Sequence, residues 1–246
     1  MPVLLITGGG RGIGAATAKL AAAHGYDVAI NYKSDAASAA GVIDAVKALG
    51  RKALAIQGDM ANEADVARMF AEADKLGPLT HFVYNTGIPG RAGRLEDAPS
   101  AMMREVLEVN VLGALWSLQH AVRRMSKKRG GQGGAIVLLS SVAADIGGPN
   151  EYVWYAASKG AIESITYGLS KEIAADGIRV NSVSPGASET RVHADVGTPD
   201  KLARIGPMIP MGRVGKPEEQ AEAVLFLLSD AASYISGTVL RVAGGR

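Results

Sequence analysis

The sequence predicts an α/β fold, a doubly wound parallel sheet of seven strands with helices on both faces, in a single domain spanning 1–246. Three observations predict it. Short, β-rich apolar runs alternate along the chain with longer stretches of helical spacing. The runs are apolar enough to be covered on both sides, as parallel strands are. The stretches between them are long enough to serve as right-handed crossovers.

The first run, Val3–Thr7, ends in a glycine cluster, and the alanine-rich helix Gly14–Ala23 follows it. The strand Tyr26–Asn31 and helix Ala36–Leu49 repeat the unit. So do Lys52–Gln57 with Glu63–Lys75, and His81–Tyr84 with the long helix Ala101–Lys127. A loop-like stretch, Lys127–Gly134, separates that helix from the strand Ala135–Ser140. The helix Val153–Ala175 leads to the strand Ile178–Val183. Between Arg191 and Gly215 the alternation lapses, with Pro199, Pro207 and Pro210 among Gly197, Gly206, Gly212 and Gly215. An irregular excursion of that size in an α/β domain is more often a functional lid than a linker, so a substrate lid is expected at about 187–215. The helix Pro217–Leu228 and strand Thr238–Val242 close the pattern.

Composition removes whole classes of chemistry. The 246 residues contain no Cys, which excludes thiol catalysis, cysteine zinc sites, iron–sulfur clusters and disulfides. His24, His81, His120 and His193 lie far apart without metal-ligand spacing, so no metal is expected. A formal charge of +2 gives no reason to expect a nucleic-acid partner. No basic leader precedes the short run ending at Thr7, and the longest apolar runs, such as Ala223–Leu228, fall short of the roughly 18 residues of a membrane helix. The expectation is a soluble cytoplasmic protein without a membrane partner. Glycine is the informative count, at 31 residues with no collagen-like period. Close backbone approaches are implied.

The densest cluster is Thr7-Gly8-Gly9-Gly10-Arg11-Gly12-Ile13-Gly14, lying between a strand and a helix. That is where a phosphate rests against backbone N–H groups, and a Cβ there would block its approach. No Gly-Lys-Ser/Thr follows, which excludes the Walker pattern. The spacing Gly8-x-x-x-Gly12-x-Gly14 fits better than a dinucleotide pattern drawn through Gly10, Gly12 and Ala15. Dinucleotide sites that take NAD place an acid at the end of the second strand to accept from the ribose 2′-hydroxyl. Here Asn31-Tyr32-Lys33-Ser34 offers none before Asp35, and Arg11 with Lys33 can clamp a 2′-phosphate instead. The expected cofactor is NADP(H); the plainer reading is two solvated surface cations.

Tyr155-x-x-x-Lys159 opens the helix Val153–Ala175, and residues four apart share a helix face. An ordinary phenol titrates near ~10, so using it near pH ~7 asks for about 4 kcal/mol of differential stabilisation of the phenolate. A fixed ammonium and an oxidised nicotinamide would supply that, giving a general acid for carbonyl reduction and a base for alcohol oxidation. Ser140-Ser141 places a hydroxyl at a strand end, where it can bond the same substrate oxygen.

Taken together, these residues resemble the short-chain dehydrogenases/reductases, over nearly the whole chain. The resemblance rests on Thr7 with Gly8-x-x-x-Gly12-x-Gly14, Asp59, Asn85-x-Gly87, Asn110, Ser141, Tyr155-x-x-x-Lys159, Pro185-Gly186 with Thr190, and Gly237. It implies a single-domain Rossmann fold and an oxidoreductase acting on a small-molecule carbonyl or alcohol. It implies that Tyr155 moves the proton and that Lys159 holds the nicotinamide ribose and lowers the tyrosine pKa. Ser141 would then orient the substrate carbonyl, and Asn110 position a water in the relay. The implied cofactor-binding set is Gly8, Arg11, Gly12, Ile13, Gly14, Tyr32, Lys33, Asp59, Met60, Asn85, Thr86, Gly87, Tyr155, Lys159, Pro185, Gly186, Ser188 and Thr190. A homotetramer built through the helices Ala101–Lys127 and Val153–Ala175 and the last strand is implied as well.

The chain departs from that family at several points. Tyr84-Asn85-Thr86-Gly87 stands where Asn-Asn-Ala-Gly is usual, and Ser188 where Ile or Val is common. The spacing from Ser141 to Tyr155 is one longer than the commonest, to be absorbed in Gly147–Glu151, and it leaves Ser140 as the alternative to Ser141. Trp154 lines the cleft or packs, and Met208, Ile209 and Met211 form an apolar lid or fill the core. The basic helix end at Arg123, Arg124, Lys127, Lys128 and Arg129 is solvated or docks an acidic carrier protein. Three functions follow: a general carbonyl reductase, a 3-oxoacyl-carrier-protein reductase, and, from another class, a non-catalytic NADP(H) sensor.

Overall fold

Alternate strand residues face opposite layers, and that period of two divides the core into two halves. The computed structural model describes residues 1–190 and 200–246. Its strands are β1 (Val3–Ile6), β2 (Asp27–Tyr32), β3 (Ala53–Gln57), β4 (Leu79–Tyr84), β5 (Gly134–Leu139), β6 (Ile178–Pro185) and β7 (Val239–Val242). They form one all-parallel sheet in the order β3-β2-β1-β4-β5-β6-β7. The principal helices are α1 (Gly12–Ala23), α2 (Ala36–Ala48), α3 (Glu63–Ala73), α4 (Ser100–Leu107), α5 (Gly113–Met125), α6 (Ala143–Ile146), α7 (Val153–Glu172), α8 (Lys201–Ile205) and α9 (Pro217–Leu228).

Leu4, Ile6, Val28, Ile30 and Val137 pack beneath α1, α2 and α9, against Ala18, Ala22, Val42, Val46 and Val224. Their neighbours Val3, Leu5, Ala29, Ile136 and Leu138 point the other way, onto Phe70 of α3, Leu118 and Met125 of α5 and Ile162 of α7. The strand order reverses at β1 and β4, and the carboxyl ends of those strands therefore open a crevice between diverging crossovers. Helix starts are marked where the sequence supplies acceptors. Asp35 takes the Ser38 N–H at the start of α2, and Asn62 takes those of Ala64 and Asp65 at α3.

The helix expected over 101–127 is two helices joined by a π-helical turn, Glu108–Leu112. Just past the turn the chain is closely approached by another segment: a Cβ at Gly113 would lie 2.3 Å from the Met60 carbonyl oxygen, room that only a glycine leaves. The helix expected to reach Ala175 stops at Glu172 and tightens into a 3-10 turn, Ala174–Asp176. α6 and α8 are too short to show a sequence period. Of the lid expected at 187–215, residues 191–199, His193 among them, lie outside the described residues. In the rest, Ile209 is buried while Met208 and Met211 are exposed, so only one of the three apolar residues fills core. Among the described residues no helix is long and apolar enough to cross a membrane, and no cluster of side chains suits a metal.

Candidate active site

The crevice begins where β1 ends. Thr7 Oγ1 accepts from the Asn85 and Thr86 N–H groups, and Asn85 Nδ2 returns bonds to the Thr7 and Gly8 carbonyls at 3.0 Å. The β1 and β4 termini are thereby locked together. Gly8 and Gly12 adopt positive φ, and a Cβ on Gly14 would lie 2.5 Å from the Gly8 carbonyl oxygen. Arg11 occupies the N-cap of α1 without a side-chain capping bond, so among the described residues no cap side chain takes up the first-turn N–H groups. Gly12 faces Thr190 across the crevice, a Cβ there coming 3.3 Å from Thr190 Cγ2. The Thr86 hydroxyl is buried beside Gly8 with no hydrogen-bond partner among the described residues. A glycine cradle, helix amides without a side-chain cap and an orphaned hydroxyl fit a phosphate-linked dinucleotide.

At the far end of β2 no carboxylate belongs to the strand. Asn31 instead ties the loops together, its amide donating to the Gly58 carbonyl and its Oδ1 accepting from the Gly8 N–H. Tyr32 is half-buried, and Arg11 and Lys33 are exposed. Asp59 has come across from the end of β3 to pair with Lys33 at 2.7 Å. Partial burial opposes the Asp59 charge, but the Lys33 ammonium and the Ala61 N–H outweigh it and hold the carboxyl below its usual range. Lys33 is raised in return, chiefly by the Asp59 hydrogen bond. Met60 sits in the core, so its side chain is withdrawn from the crevice where a cofactor contact was expected.

The catalytic candidates converge at the carboxyl end of β5. The Ser141 side chain stands within reach of the Tyr155 hydroxyl, whereas Ser140 Oγ turns into the layer behind and donates to Glu163 Oε1 at 2.7 Å. Both serines line the cavity, but only the Ser140 hydroxyl is taken up by a carboxylate. Lys159, 3% exposed, donates from Nζ to the Leu139 carbonyl at 2.6 Å, and Nζ lies 5.7 Å from the Tyr155 ring centroid. Asn110 is fully buried in the π-helical turn. Its Oδ1 accepts from the Ile88 N–H at 2.8 Å, and Nδ2 donates to the Ile88 carbonyl and to Ser158 Oγ. Gly87 fits between these groups, since a Cβ there would lie 3.0 Å from Lys159 Nζ and 3.6 Å from Asn110 Oδ1.

Electrostatics depart from one expectation. Burial lowers Lys159 to about 8 and pushes Tyr155 above its ordinary value, with the Ser141 bond pulling the other way. Lys159 is not among the groups that shift the phenol here, its Nζ lying 5.7 Å from the Tyr155 ring centroid and bonded to the Leu139 carbonyl. Burial favours a protonated phenol, ready to act as an acid.

A cavity of about 320 Å³ is lined by Gly87, Ser141, Tyr155 and Lys159, with Asn110 buried outside its wall. Ile13, Asn85, Gly87, Pro185, Gly186, Ser188 and Thr190 line the end nearest the glycine loop; Val142, Ile146, Glu151, Tyr152, Lys201 and Ile205 line the other. Lys201 pairs with Glu151 at 2.5 Å and stands over the Tyr152 ring. Glu151 falls in the loop, and Lys201 and Ile205 in the lid, that the sequence set over the cleft; Tyr152 carried no sequence signal, because the segment that brings it in is short and aperiodic. The extra residue before Tyr155 is absorbed in left-handed backbone at Gly147, Gly148 and Asn150, the last a residue that tolerates it. Trp154 packs, donating to the Pro89 carbonyl at 2.8 Å.

Comparison with known proteins finds relatives over nearly the whole chain. Residues 8–246 match the family described as Enoyl-(Acyl carrier protein) reductase. The chain is similar, at 46% identity over the whole of both chains, to the uncharacterized oxidoreductase YgfF of Escherichia coli K12. Among solved structures it is similar to a short chain dehydrogenase of Burkholderia cenocepacia in complex with NADP (36% identity, TM-score 0.89, 99% of this chain and 97% of that one). It is also similar to the 3-ketoacyl-(acyl-carrier-protein) reductase of Brucella melitensis complexed with NADH (34% identity, TM-score 0.91, 100% and 98%).

Proposed function

The chain belongs to the short-chain dehydrogenase/reductase family, and we propose that it is an NADP(H)-dependent oxidoreductase acting at the carbonyl or alcohol carbon of a small substrate, with Tyr155 as general acid and base. The observation that carries this reading is the one cavity that Ser141, Tyr155 and Lys159 line together. Gly8, Gly12, Gly14, Asn85, Gly87, Pro185, Gly186, Ser188 and Thr190 hold the dinucleotide. When bound, the nicotinamide supplies or accepts the hydride. The chain's own residues do the rest. Ser141 donates to the substrate oxygen and fixes its distance from the phenol. Tyr155 gives that oxygen its proton as negative charge develops there, an effect of about 10²–10⁴ in rate. Lys159 and Asn110 border the route by which the phenol is reprotonated.

NADP(H) is favoured over NAD(H) by the absence of an acid at the C-terminal end of β2, where Asn31 and Tyr32 stand, and by Arg11 and Lys33 nearby. The exposed Lys33–Asp59 pair is of the kind that contributes little and yields readily to a phosphate. The likeness to relatives does not choose, since one neighbour holds NADP and another NADH. Comparing kcat/KM for NADPH and NADH tests the assignment; equal or better use of NADH overturns it.

A second reading, 3-oxoacyl-carrier-protein reductase, draws on the similarity to the Brucella enzyme and on the basic end of α5. Two of the five cations there are already engaged, Arg124 with Asp74 and Lys128 with Asp176, which favours the general reductase. NADPH consumption against acyl thioesters, diketones and aldoses separates the two. Binding of NADPH without turnover across that panel would instead favour the sensor. The proposed assembly is a homotetramer. Leu107, Leu112 and Leu115 along α4 to α5, and Tyr167 on α7, leave apolar surface exposed on the helices that would pair.

A further inference from the structure

A π-helical turn has a structural debt: one carbonyl loses its helical donor as the register passes from i+5 back to i+4. Here the Gly113 N–H bonds the Glu108 carbonyl, so the Val109 carbonyl is the one left over. Tyr84 reaches it from β4, donating its hydroxyl to Val109 O at 2.5 Å from a side chain 1% exposed. Gly113 makes room for this, as a Cβ there would lie 2.7 Å from Tyr84 Oη. We infer that Tyr84 is a positioning residue of the active site: its phenol pins the π-helical turn and thereby fixes Asn110 against Ile88 beside Lys159. The inference rests on the family reading of that site. Tyr84 is also the residue that replaces the usual Asn before Asn85, so the device belongs to this chain's own sequence.

The consequence of losing the donor follows from helix geometry. A buried carbonyl without a partner is costly, and the segment relieves it by returning Gly113 N–H to Val109 O. That removes the extra residue from the turn and changes the rotational phase between α4 and α5 by about 100°, the turn of one residue. Asn110 then loses its alignment with both Ile88 and Ser158. Burial and the nearby Asp59 charge push the Tyr84 phenol upward, so it remains a donor at any pH of interest.

The test is Tyr84→Phe in the full-length protein, read in two ways. With an active carbonyl substrate, kcat falls about tenfold while KM and NADPH Kd stay within about twofold, as expected of misplaced rather than missing groups. Replacing Tyr84 by 4-aminophenylalanine, which keeps an N–H donor at that point, restores most of kcat. Independently of turnover, amide exchange at Ile88 and over 108–113 accelerates in Tyr84→Phe and not in the amino variant. Unchanged kcat and unchanged exchange overturn the inference. So does a loss of melting temperature and NADPH affinity that the amino variant fails to recover. If the wild-type protein turns over no substrate, the proposed function fails on that result alone, and the exchange data still decide the role of Tyr84.

Discussion

Lys159 and Lys33 sit at opposite ends of one crevice. Lys159 is buried among helices and held at 2.6 Å by the Leu139 carbonyl, so its position is set by backbone. Lys33 is 62% exposed and paired at 2.7 Å with Asp59, a carboxylate that is itself partly open to solvent. The first end has many constraints per polar group: Asn110 alone makes three hydrogen bonds, to Ile88 twice and Ser158 once. The second has a single exchangeable ion pair. On the proposed function this difference has a reason: chemistry needs groups fixed to fractions of an ångström, whereas recognition of a phosphate needs charge within reach.

The sharpest way to break that contrast is at the rigid end. Tyr155→Phe is expected to lose at least about 10²-fold in kcat with NADPH Kd within a few-fold, measured by steady-state kinetics and fluorescence titration. Retained turnover in that variant removes the proton-transfer role. Gly14→Ala attacks the cradle between the two ends, placing a methyl 2.5 Å from the Gly8 carbonyl oxygen. Dinucleotide affinity should fall at least about tenfold while far-ultraviolet circular dichroism stays native, since a clash of this kind is relieved by moving the loop. At the exposed end, Lys33→Ala should raise KM for NADPH a few-fold and leave NADH unchanged, the loss shrinking at high salt. An equal effect on both cofactors would show that Lys33 does not read the 2′-phosphate.

A separate expected effect is in stability. Lys159 titrates at about 8 in the fold and near ~10.4 unfolded, so between those values the unfolded chain binds more protons. Stability from this group therefore rises with pH from about 8 to ~10.4 and is least below 8, where a charged ammonium must be buried. Lys159→Met abolishes that rise. Melting curves of both proteins from pH 7 to 10.5 check it, and parallel pH dependence would contradict the burial of the charge.

How much of this was readable beforehand depends on whether a signal is local. The glycine spacing Gly8-x-x-x-Gly12-x-Gly14, the Tyr155–Lys159 interval and the strand alternation act within a few residues, and all are plain in the chain. The choice between Ser140 and Ser141 was not, because it turns on which way the last strand residues face, and only pairing with Glu163 shows Ser140 turned inward. The long helix over 101–127 reads as continuous because its apolar period survives the interruption. The close approach of Met60 and Tyr84 to Gly113, just past the interruption, comes from residues far away in sequence. Trp154 and Ile209 were undecided, and the Glu151–Lys201 pair was not foreseen, for the same reason: their neighbours are supplied by loops with no period to read.

The central claim, that this crevice passes a hydride to a carbonyl carbon, is tested most directly by isotope transfer. NADPH deuterated at C4, in both the 4R and 4S forms, is incubated with the protein and the panel of acyl thioesters, diketones and aldoses, and the products are examined by mass spectrometry. Deuterium on the new carbinol carbon from one of the two forms, abolished in Tyr155→Phe, is the expected result. NADPH that binds but transfers deuterium from neither form to any member of the panel would contradict it.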